Sequence, residues 1–224
     1  MAPVWDLIVV GSGPAGSLAA LAALRQRPDA RVLLLDRADF PRDKVCGDVL
    51  GPRCFDLLER YGLGARFEDF ATAQEFALAS SAVTAKHQIV GPVRVVPRLV
   101  LDERLLQGAV EAGAVWRRRR VSSIDVEGDR VVVDGELQAS VVVGADGAES
   151  VVRRALQQRS VPACRAGIAV RGYAPTRSAI PVIMSRATKW PAYAWEFPIG
   201  DGRSNVDYFE VSDGSNRSTL IARA

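Results

Sequence analysis

The sequence contains few residues able to hold a metal ion or to form disulfide bonds. It has three cysteines, at positions 46, 54 and 164, with no C-x-x-C spacing, and a single histidine, His87. An odd number of scattered cysteines does not support a disulfide framework, and a lone histidine does not support a zinc site. We therefore predict that no metal is bound and that the protein is cytoplasmic.

Lysine is scarce, and neither sign of charge dominates. Lysine and arginine together number 29 against 26 acidic residues, which gives a net charge of +3. So small an excess does not predict a nucleic-acid partner. The one basic run, residues 117–120, is interpreted as the solvated end of a strand, with contact to phosphates or anionic lipid as the less favoured alternative.

Long uninterrupted hydrophobic runs are also lacking. Residues 7–24 carry no charge, but three glycines and a proline interrupt them, and the acid Asp6 precedes them where a signal peptide would have basic residues. With 48% hydrophobic and 25% charged residues, the 224-residue chain has the composition of a globular protein and not of a disordered one. Its length fits one large domain, or one domain and part of another.

The first 36 residues have the pattern of a β-α-β unit. The run VWDLIVV over 4–10 is typical of a strand buried on both faces, an alanine- and leucine-rich helix is predicted over 17–27, and RVLLLD over 31–36 predicts a second strand. Two strands joined in this way are parallel and connected by a right-handed crossover in nearly all known cases.

A glycine motif joins the first strand to the helix. Gly11, Gly13 and Gly16 form G-x-G-x-x-G, in which the glycines permit a tight turn, close approach of a pyrophosphate and close packing of the helix on the strand. Asp36 stands 20 residues after the last glycine, at the end of the second strand, where a carboxylate can accept hydrogen bonds from ribose hydroxyls. The pattern predicts dinucleotide binding, with a glycine turn that binds nothing as the alternative.

The remaining chain predicts an α/β fold in two layers, a Rossmann-like domain and a β-rich layer. Residues 37–52 are predicted as a loop, and 64–96 as one or two strands of the second layer. The other predicted elements are helices near 54–61 and 98–113, strands near 121–126, 130–134 and 138–145, a helix from about Ala148, and strands over 165–209.

Three segments resemble the geranylgeranyl reductase branch of the FAD-dependent, hydroxybenzoate-hydroxylase-type flavoproteins. They are DLIVVGSGPAGSLAA, LLLDRADFPRDKVCGD and VVGADGAESVVRRAL, and the resemblance extends from about residue 4 to about residue 206. It implies FAD in the dinucleotide site, with NAD(P)H or another donor as the reductant of the flavin.

The resemblance implies a role for each matching position. The glycine loop would hold the FAD pyrophosphate, Asp36 the adenosine ribose, and the backbone at Cys46 and Gly47 would lie along the flavin. Asp48 stands where the family usually has a second glycine, and Asp146 has a helix cap as its alternative role. The cofactor-binding positions implied are Gly11, Gly13, Ala15, Gly16, Asp36, Arg37, Cys46, Gly47, Arg98, Val121, Asp146 and Gly147.

The segment YAWEFPIGDGRSNV over 193–206 is similar to the Y-x-W-x-F-P stretch of prenyl reductases. The similarity implies an apolar substrate pocket lined by Tyr193, Trp195, Phe197 and Pro198, and a plain β-hairpin is the alternative. The implied reaction is reduction of isolated double bonds in an isoprenoid chain of a lipid or small molecule, with Cys46 and Tyr193 as candidate proton donors. Aromatic hydroxylation and an inactive FAD-binding fragment are the alternatives. Peripheral membrane contact and the oligomeric state stay open.

The expected organisation is a FAD-binding domain over 1–164, the start of a β-rich substrate domain over 165–209, and a tail over 210–224 outside the family pattern. The family's later G-D-A-A-G motif has no match, and the family has glycine where Asp207 stands. We therefore expect a chain that is incomplete relative to the family.

Overall fold

The computed structural model describes residues 4–80, 82–156, 167–185 and 192–211. The chain forms two compact units, one of Met1–Arg42 and Leu99–Ser160, the other of Asp43–Arg98 and Val161–Ala224. Residues 43–63, which the sequence analysis placed in the FAD-binding domain, thus group with the second unit. Cys164 and most of the expected tail, from 212 onward, lie outside the described residues.

The elements alternate between the two units along the chain. In chain order they are β1 (Trp5–Val10), α1 (Pro14–Gln26), β2 (Val32–Asp36), β3 (Val49–Leu50), α2 (Pro52–Arg60), β4 (Thr72–Ala79), β5 (Thr84–Val95), α3 (Arg98–Glu111), β6 (Val115–Arg118), β7 (Ile124–Glu127), β8 (Arg130–Val133), β9 (Leu137–Gly144), α4 (Val151–Ala155), β10 (Gly167–Pro175), β11 (Val182–Met184), β12 (Ala192–Pro198) and β13 (Arg203–Val211). None of the described helices is long and apolar enough to cross a membrane.

The first unit is built on a six-stranded sheet with the strand order β6-β2-β1-β9-β8-β7. β1 pairs in parallel with β2 and with β9, so the predicted β-α-β unit and the α/β class are confirmed. The four residues 32–35 of β2 are almost wholly buried, because the strand lies between β6 and β1 and both of its faces are covered. This unit carries the parallel core of the fold.

Strand β6 was not predicted from the sequence, and Val121 lies outside the strand in which it was expected. β6 pairs in parallel with β2, but its residues are mostly exposed and half of them are arginines, so hydrophobic alternation gave no signal. Val121 was expected in a strand, yet it lies in the connection between β6 and β7, where it packs against the core of the first unit.

The basic run 117–120 follows the interpretation of a strand end, since β6 ends at Arg118. Two of its arginines form ion pairs within the first unit. Arg118 pairs with Asp39 at 2.7 Å, and Arg119 pairs with Asp134 at 2.9 Å and with Glu136 at 2.8 Å. These contacts account for two of the four arginines without any external anion.

We predict that Asp134→Asn destabilises the first unit in a pH-dependent way. Burial raises the pKa of Asp134, but hydrogen bonds from the backbone of Ser122 and Ser123 and from Arg119 outweigh it and lower the pKa to about 2. A depressed pKa gives stability that is present above the unfolded value of 3.8 and is lost as pH falls toward 2. The expected cost in urea unfolding is about 2 kcal/mol at pH 7, vanishing near pH 2.

The matched control for Asp134 is Glu136→Gln, because Glu136 also pairs with Arg119 but is exposed. Asparagine keeps the positive φ of 51° at position 134, so the loss reports the charge of Asp134 and the acceptor oxygen that the amide nitrogen cannot replace. Equal losses in the two variants, or a loss at position 134 that does not change with pH, would contradict the assignment.

The second unit is a seven-stranded, mostly antiparallel sheet with the order β10-β13-β12-β11-β4-β5-β3. β4 and β5 are the strands expected within 64–96, and β10 to β13 are those expected over 165–209. β3 is a two-residue strand inside the predicted loop 37–52, where it adds to the edge at β5. β13 continues to Val211, beyond the expected domain end at 209.

Candidate functional site

The glycine loop of the first unit has no space for side chains at two positions. Gly11 follows β1 with a φ of +98°, and a Cβ there would lie 2.3 Å from the carbonyl oxygen of Ala145. A Cβ on Gly16 would lie 1.8 Å from the carbonyl oxygen of Gly11 and 3.2 Å from Val9. The loop therefore packs directly on β9, and helix α1 directly on the loop, as the motif predicts.

The N-terminus of α1 has the features of an anion-binding site. Gly13 is the N-cap and Pro14 follows it, so no side chain caps the first-turn N–H groups. The Ser12 hydroxyl is buried and, within the part of the chain described, has no hydrogen-bond partner. Ser12 is a candidate ligand that sequence reasoning missed, because its position in the motif accepts any residue.

Asp36 ties the end of β2 to the glycine loop. Its Oδ2 accepts a hydrogen bond from the Ser12 backbone N–H at 2.8 Å, and its Oδ1 accepts one from Ala38 at 3.0 Å. A carboxylate has about four acceptor positions, so acceptor capacity for ribose hydroxyls is left. Arg42 lies 4.0 Å from this carboxylate and 2.9 Å from the buried Asp102. Arg37, also predicted here, is exposed.

Asp146 and Gly147 lie beside the glycine loop, because β9 is the parallel neighbour of β1. One oxygen of Asp146 accepts a hydrogen bond from the Val151 backbone N–H at 2.6 Å, so the residue helps to cap α4. The other oxygen is buried without a partner among the described residues. Gly147 has a φ of +80°. The helix-cap interpretation is thus confirmed for one oxygen, while the other can still accept a ligand hydrogen bond.

In the second unit, aromatic side chains cover one face of the sheet. Tyr193, Trp195 and Phe197 alternate along β12, and their neighbouring ring centroids lie 5.5 and 5.7 Å apart. Phe209 on β13 adds a ring 5.2 Å from Tyr193. We call these four residues the aromatic face. Pro198 was predicted with them, but it occupies the alternate register position of β12, which belongs to the opposite face.

The loop 43–48 packs onto the aromatic face. A Cβ on Gly47 would lie 3.1 Å from the Trp195 ring, so glycine allows the loop backbone to approach the indole closely. Cys46 is half-buried in this loop as a free thiol. The structure therefore brings together the predicted Cys46 and Gly47 with three of the four predicted pocket residues, Tyr193, Trp195 and Phe197.

Asp48 holds the end of this loop in a conformation that favours glycine. Its φ is +61°, and its side chain is 1% exposed. Oδ2 accepts hydrogen bonds from the Tyr173 hydroxyl at 2.8 Å and from Asn205 at 2.7 Å, while Oδ1 accepts one from the Arg98 backbone N–H at 3.3 Å. These bonds offset the strain of the left-handed backbone, which explains how an aspartate stands where the family usually has glycine.

Asn205 connects the loop to the aromatic face. Its Nδ2 donates to the Cys46 carbonyl oxygen at 2.8 Å as well as to Asp48, and its Oδ1 accepts from the Trp195 indole N–H at 3.0 Å. Asn205 is fully buried. Sequence reasoning missed its role, because its partner Cys46 is 159 positions away in the chain.

Burial controls the protonation of this region. Burial raises the pKa of Asp48, and the hydrogen bonds from Tyr173 and Asn205 only partly offset it. Burial and the bond to Asp48 together raise the pKa of Tyr173, which keeps its hydroxyl protonated. Burial also raises the pKa of Asp207, to about 6.

Comparison with known proteins identifies the family of the chain. Residues 5–170 match the family described as FAD binding domain. The chain belongs to this family. The FAD-binding domain therefore includes the glycine loop, Asp36 and Asp146. Their geometry fits the cofactor. Uncapped N–H groups, the buried Ser12 hydroxyl and an Asp146 oxygen without a partner among the described residues all follow the carboxyl ends of the parallel strands β1 and β9.

Relatives of this FAD-binding chain confirm its resemblance to geranylgeranyl reductases. It is 34% identical to a menaquinone reductase of Mycobacterium tuberculosis, over 97% of this chain and 58% of that protein. It is 33% identical to digeranylgeranylglycerophospholipid reductase 2 of Methanopyrus kandleri, over 90% and 54%. A solved geranylgeranyl bacteriochlorophyll reductase-like protein of Thermoplasma acidophilum shares the fold, with a TM-score of 0.83 and 19% identity over 98% and 60%. The chain thus spans little more than half the length of these relatives.

We predict that Asn205→Ala releases the loop 43–48 from the sheet. The change removes the donor to Cys46 and to Asp48 and leaves the Trp195 indole N–H without its acceptor. We expect a loss of about 1–2 kcal/mol in unfolding free energy. Amide hydrogen exchange in a peptide covering 43–50 should become at least about tenfold faster.

The matched control for Asn205 is Tyr173→Phe, which removes one hydrogen bond to Asp48 but leaves Cys46 and Trp195 untouched. It should speed exchange in 43–50 less than Asn205→Ala does, because it removes one of the loop's hydrogen bonds instead of two. Exchange that is unchanged by Asn205→Ala would show that other contacts hold the loop.

Proposed function

We propose that this chain is a FAD-dependent oxidoreductase that reduces isolated double bonds of an isoprenoid chain. The observation that carries the proposal is the packing of the loop 43–48 on the aromatic face, with Gly47 against Trp195. By the family resemblance, the backbone at Cys46 and Gly47 is the part that lies along the flavin. An apolar chain lying on these rings would therefore lie next to the cofactor.

Residues of the first unit would hold the nucleotide part of the cofactor. Gly11, Gly13, Ala15 and Gly16 would bind the pyrophosphate through the backbone and the N-terminus of α1. Asp36 would accept ribose hydroxyls, and Asp146 would offer its unpaired oxygen. By the family resemblance, Arg98, the first residue of α3, would reach the phosphates, and Val121, which packs on the core of the first unit, would lie near the adenine.

When bound and reduced, FAD supplies a hydride to an alkene carbon. The chain's own residues position the substrate and exclude water. The rings of the aromatic face offer stacking and apolar contact to an isoprenoid, which has no polar atoms to satisfy. The hydrogen bonds of Asn205 fix the loop 43–48 relative to Trp195. The distance between the loop and the aromatic face is therefore set before a substrate binds. We propose NAD(P)H as the reductant of the flavin.

The names of the relatives support the isoprenoid substrate. One relative is named a menaquinone reductase and another a digeranylgeranylglycerophospholipid reductase, and this chain is more than 30% identical to each. The similarity to the solved structure supports the fold alone at its lower identity.

The test uses the purified 224-residue chain. After desalting, its visible absorption spectrum should show flavin bands at near one FAD per chain. With the flavin reduced under anaerobic conditions, a geranylgeranyl lipid should gain two hydrogen atoms per flavin oxidised. A chain that binds FAD but leaves the prenyl double bonds unchanged would refute the substrate assignment, and a chain that takes up no FAD would support the fragment alternative.

A further inference from the structure

The aromatic face continues as an apolar surface onto the neighbouring strands of the second unit. Trp195 on β12 pairs with Ile183 on β11, and Ile183 pairs with Leu78 on β4. Paired residues project from the same face of a sheet, so these three side chains form a row across three strands. Phe76 lies two positions before Leu78 on β4 and therefore shares this face. We call Ile183, Leu78 and Phe76 the apolar strip.

The apolar strip is accessible, although its strands lie inside the sheet. Leu78 is 43% exposed, even though β4 lies between β11 and β5. Ala77, which projects from the opposite face of β4, is 3% exposed, so the strand is covered on that face and open on the face of the strip. Contiguous exposed apolar surface of this kind marks a site of contact with a ligand or another molecule.

Charged side chains are kept away from the apolar strip. Arg171 and Asp207 share its face of the sheet, but they lie on β10 and β13, where Arg171 donates to the loop 43–48. Glu75 on β4 and Lys86 on β5 occupy the alternate register positions, which belong to the opposite face. The strip itself presents no charge, so its chemistry fits an apolar ligand and not an ionic one.

An aromatic pair lies at the far end of the strip. His87 on β5 is the cross-strand partner of Phe76 and stacks on its ring, with centroids 5.4 Å apart. Neighbouring strands lie about 4.8 Å apart, so the surface extends about 14 Å across the sheet from Trp195 to His87. An isoprene unit spans at most about 6 Å at about 1.5 Å per carbon–carbon bond, so the surface has room for about two further units.

We propose that the apolar strip binds the distal part of a long isoprenoid chain and sets the preference for long chains, an inference that rests on the proposed function. The reacting double bond would lie on the aromatic face beside the loop 43–48, and the rest of the chain would cross β11 and β4. The strip is continuous with the aromatic face, so one chain can cover both. A short chain ends before Leu78 and gains nothing from the hydrophobic effect there.

The test measures how tightly the purified 224-residue chain, supplied with oxidised FAD, binds radiolabelled geraniol and geranylgeraniol in equilibrium dialysis. No reduction takes place under these conditions. The parent chain should bind geranylgeraniol at least about tenfold more tightly than the shorter geraniol. Leu78→Thr keeps a side chain that favours strands but removes apolar surface. It should lower this ratio at least about fivefold, with the affinity for geraniol within about twofold of the parent.

Two further variants serve as controls. Val126 is 73% exposed on β7, in the other sheet, so Val126→Thr should leave both affinities unchanged. Leu78→Met keeps an apolar side chain of similar volume and should retain the parent ratio. A ratio unchanged by Leu78→Thr, or equal weakening of both prenols, would overturn the proposal. So would a dimer in analytical ultracentrifugation that Leu78→Thr dissociates, because a second copy of the chain would then cover the strip.

Anaerobic reduction of the same prenols separates this proposal from the proposed function. A chain whose preference for geranylgeraniol depends on Leu78, but which reduces neither prenol, would refute the reduction and leave the strip as a binding surface. A chain that reduces both prenols, with the same ratio of KM values in the parent and in Leu78→Thr, would refute the role of the strip alone.

Discussion

A Gly16→Ala variant is expected to lose about 3 kcal/mol or more of unfolding free energy and to lose FAD on desalting. The added Cβ would lie 1.8 Å from the carbonyl oxygen of Gly11, which is backbone and cannot rotate away. Helix α1 would have to move off β1. This shift would displace the helix N-terminus that is proposed to bind the FAD pyrophosphate. Urea unfolding and the ratio of flavin to protein absorbance measure the two effects.

The control for Gly16 is Gly135→Ala in the turn after β8. Gly135 has a φ of +68°, but no atom lies within 4 Å of an added Cβ, so this variant reports backbone strain alone. We expect a cost of about 1 kcal/mol and unchanged FAD content. Similar losses in the two variants would show that the close contact at Gly16 relaxes easily, and FAD retained by Gly16→Ala would contradict the role of the loop.

The nucleotide-binding unit could be predicted from the sequence because its signals are local. The G-x-G-x-x-G motif, the buried strands and Asp36 lie within 36 consecutive residues, and turn chemistry and hydrophobic pattern report such short-range structure. The structure then places Asp146 beside the glycine loop, through the parallel pairing of β9 with β1. Neither segment alone predicts the register of that pairing.

The surroundings of the loop 43–48 could not be predicted, because they depend on contacts between distant parts of the chain. Asp48 meets Tyr173 at a separation of 125 residues and Asn205 at 157. From the sequence, the aspartate at position 48 was only a departure from the family pattern. The structure shows that three hydrogen bonds stabilise its left-handed backbone. Pro198 was grouped with the aromatic residues from the sequence, but adjacent residues in a strand project to opposite faces, so the structure places it on the other face of the sheet.

Asp48 and Asp207, the two departures from the family pattern, differ in how far the burial of their carboxyl groups is compensated. Asp48 is fully hydrogen-bonded, so its burial is compensated. Burial of Asp207 outweighs its interactions with the backbone N–H groups of Tyr208 and Val170 and with Arg171, so its ionised form is only partly compensated. The cost of burying this carboxylate should be measurable as a dependence of stability on pH.

Asp207→Asn is accordingly expected to stabilise the chain at neutral and alkaline pH. The pKa of Asp207 is raised from 3.8 to about 6 in the folded state. The parent chain therefore has its full stability below pH 4 and loses stability as pH rises through 6, because the folded state binds the proton more tightly than the unfolded state. The difference of 6 − 3.8, about 2 pKa units, corresponds to about 2–3 kcal/mol. An amide does not titrate, so the variant avoids this loss.

Urea unfolding of the parent chain and of Asp207→Asn between pH 4 and 8 measures the effect. The two midpoints should nearly coincide at pH 4 and separate above pH 6, with the variant more stable. Asp201→Asn should follow the parent profile without this separation, since the Asp201 carboxylate is exposed and its partner Arg203 lowers its pKa. A variant at position 207 that is less stable than the parent above pH 6 would mean that the carboxylate is stabilised where it lies. That result would contradict the raised pKa of Asp207, because a carboxylate stabilised in the folded state would titrate below 3.8 instead of near 6.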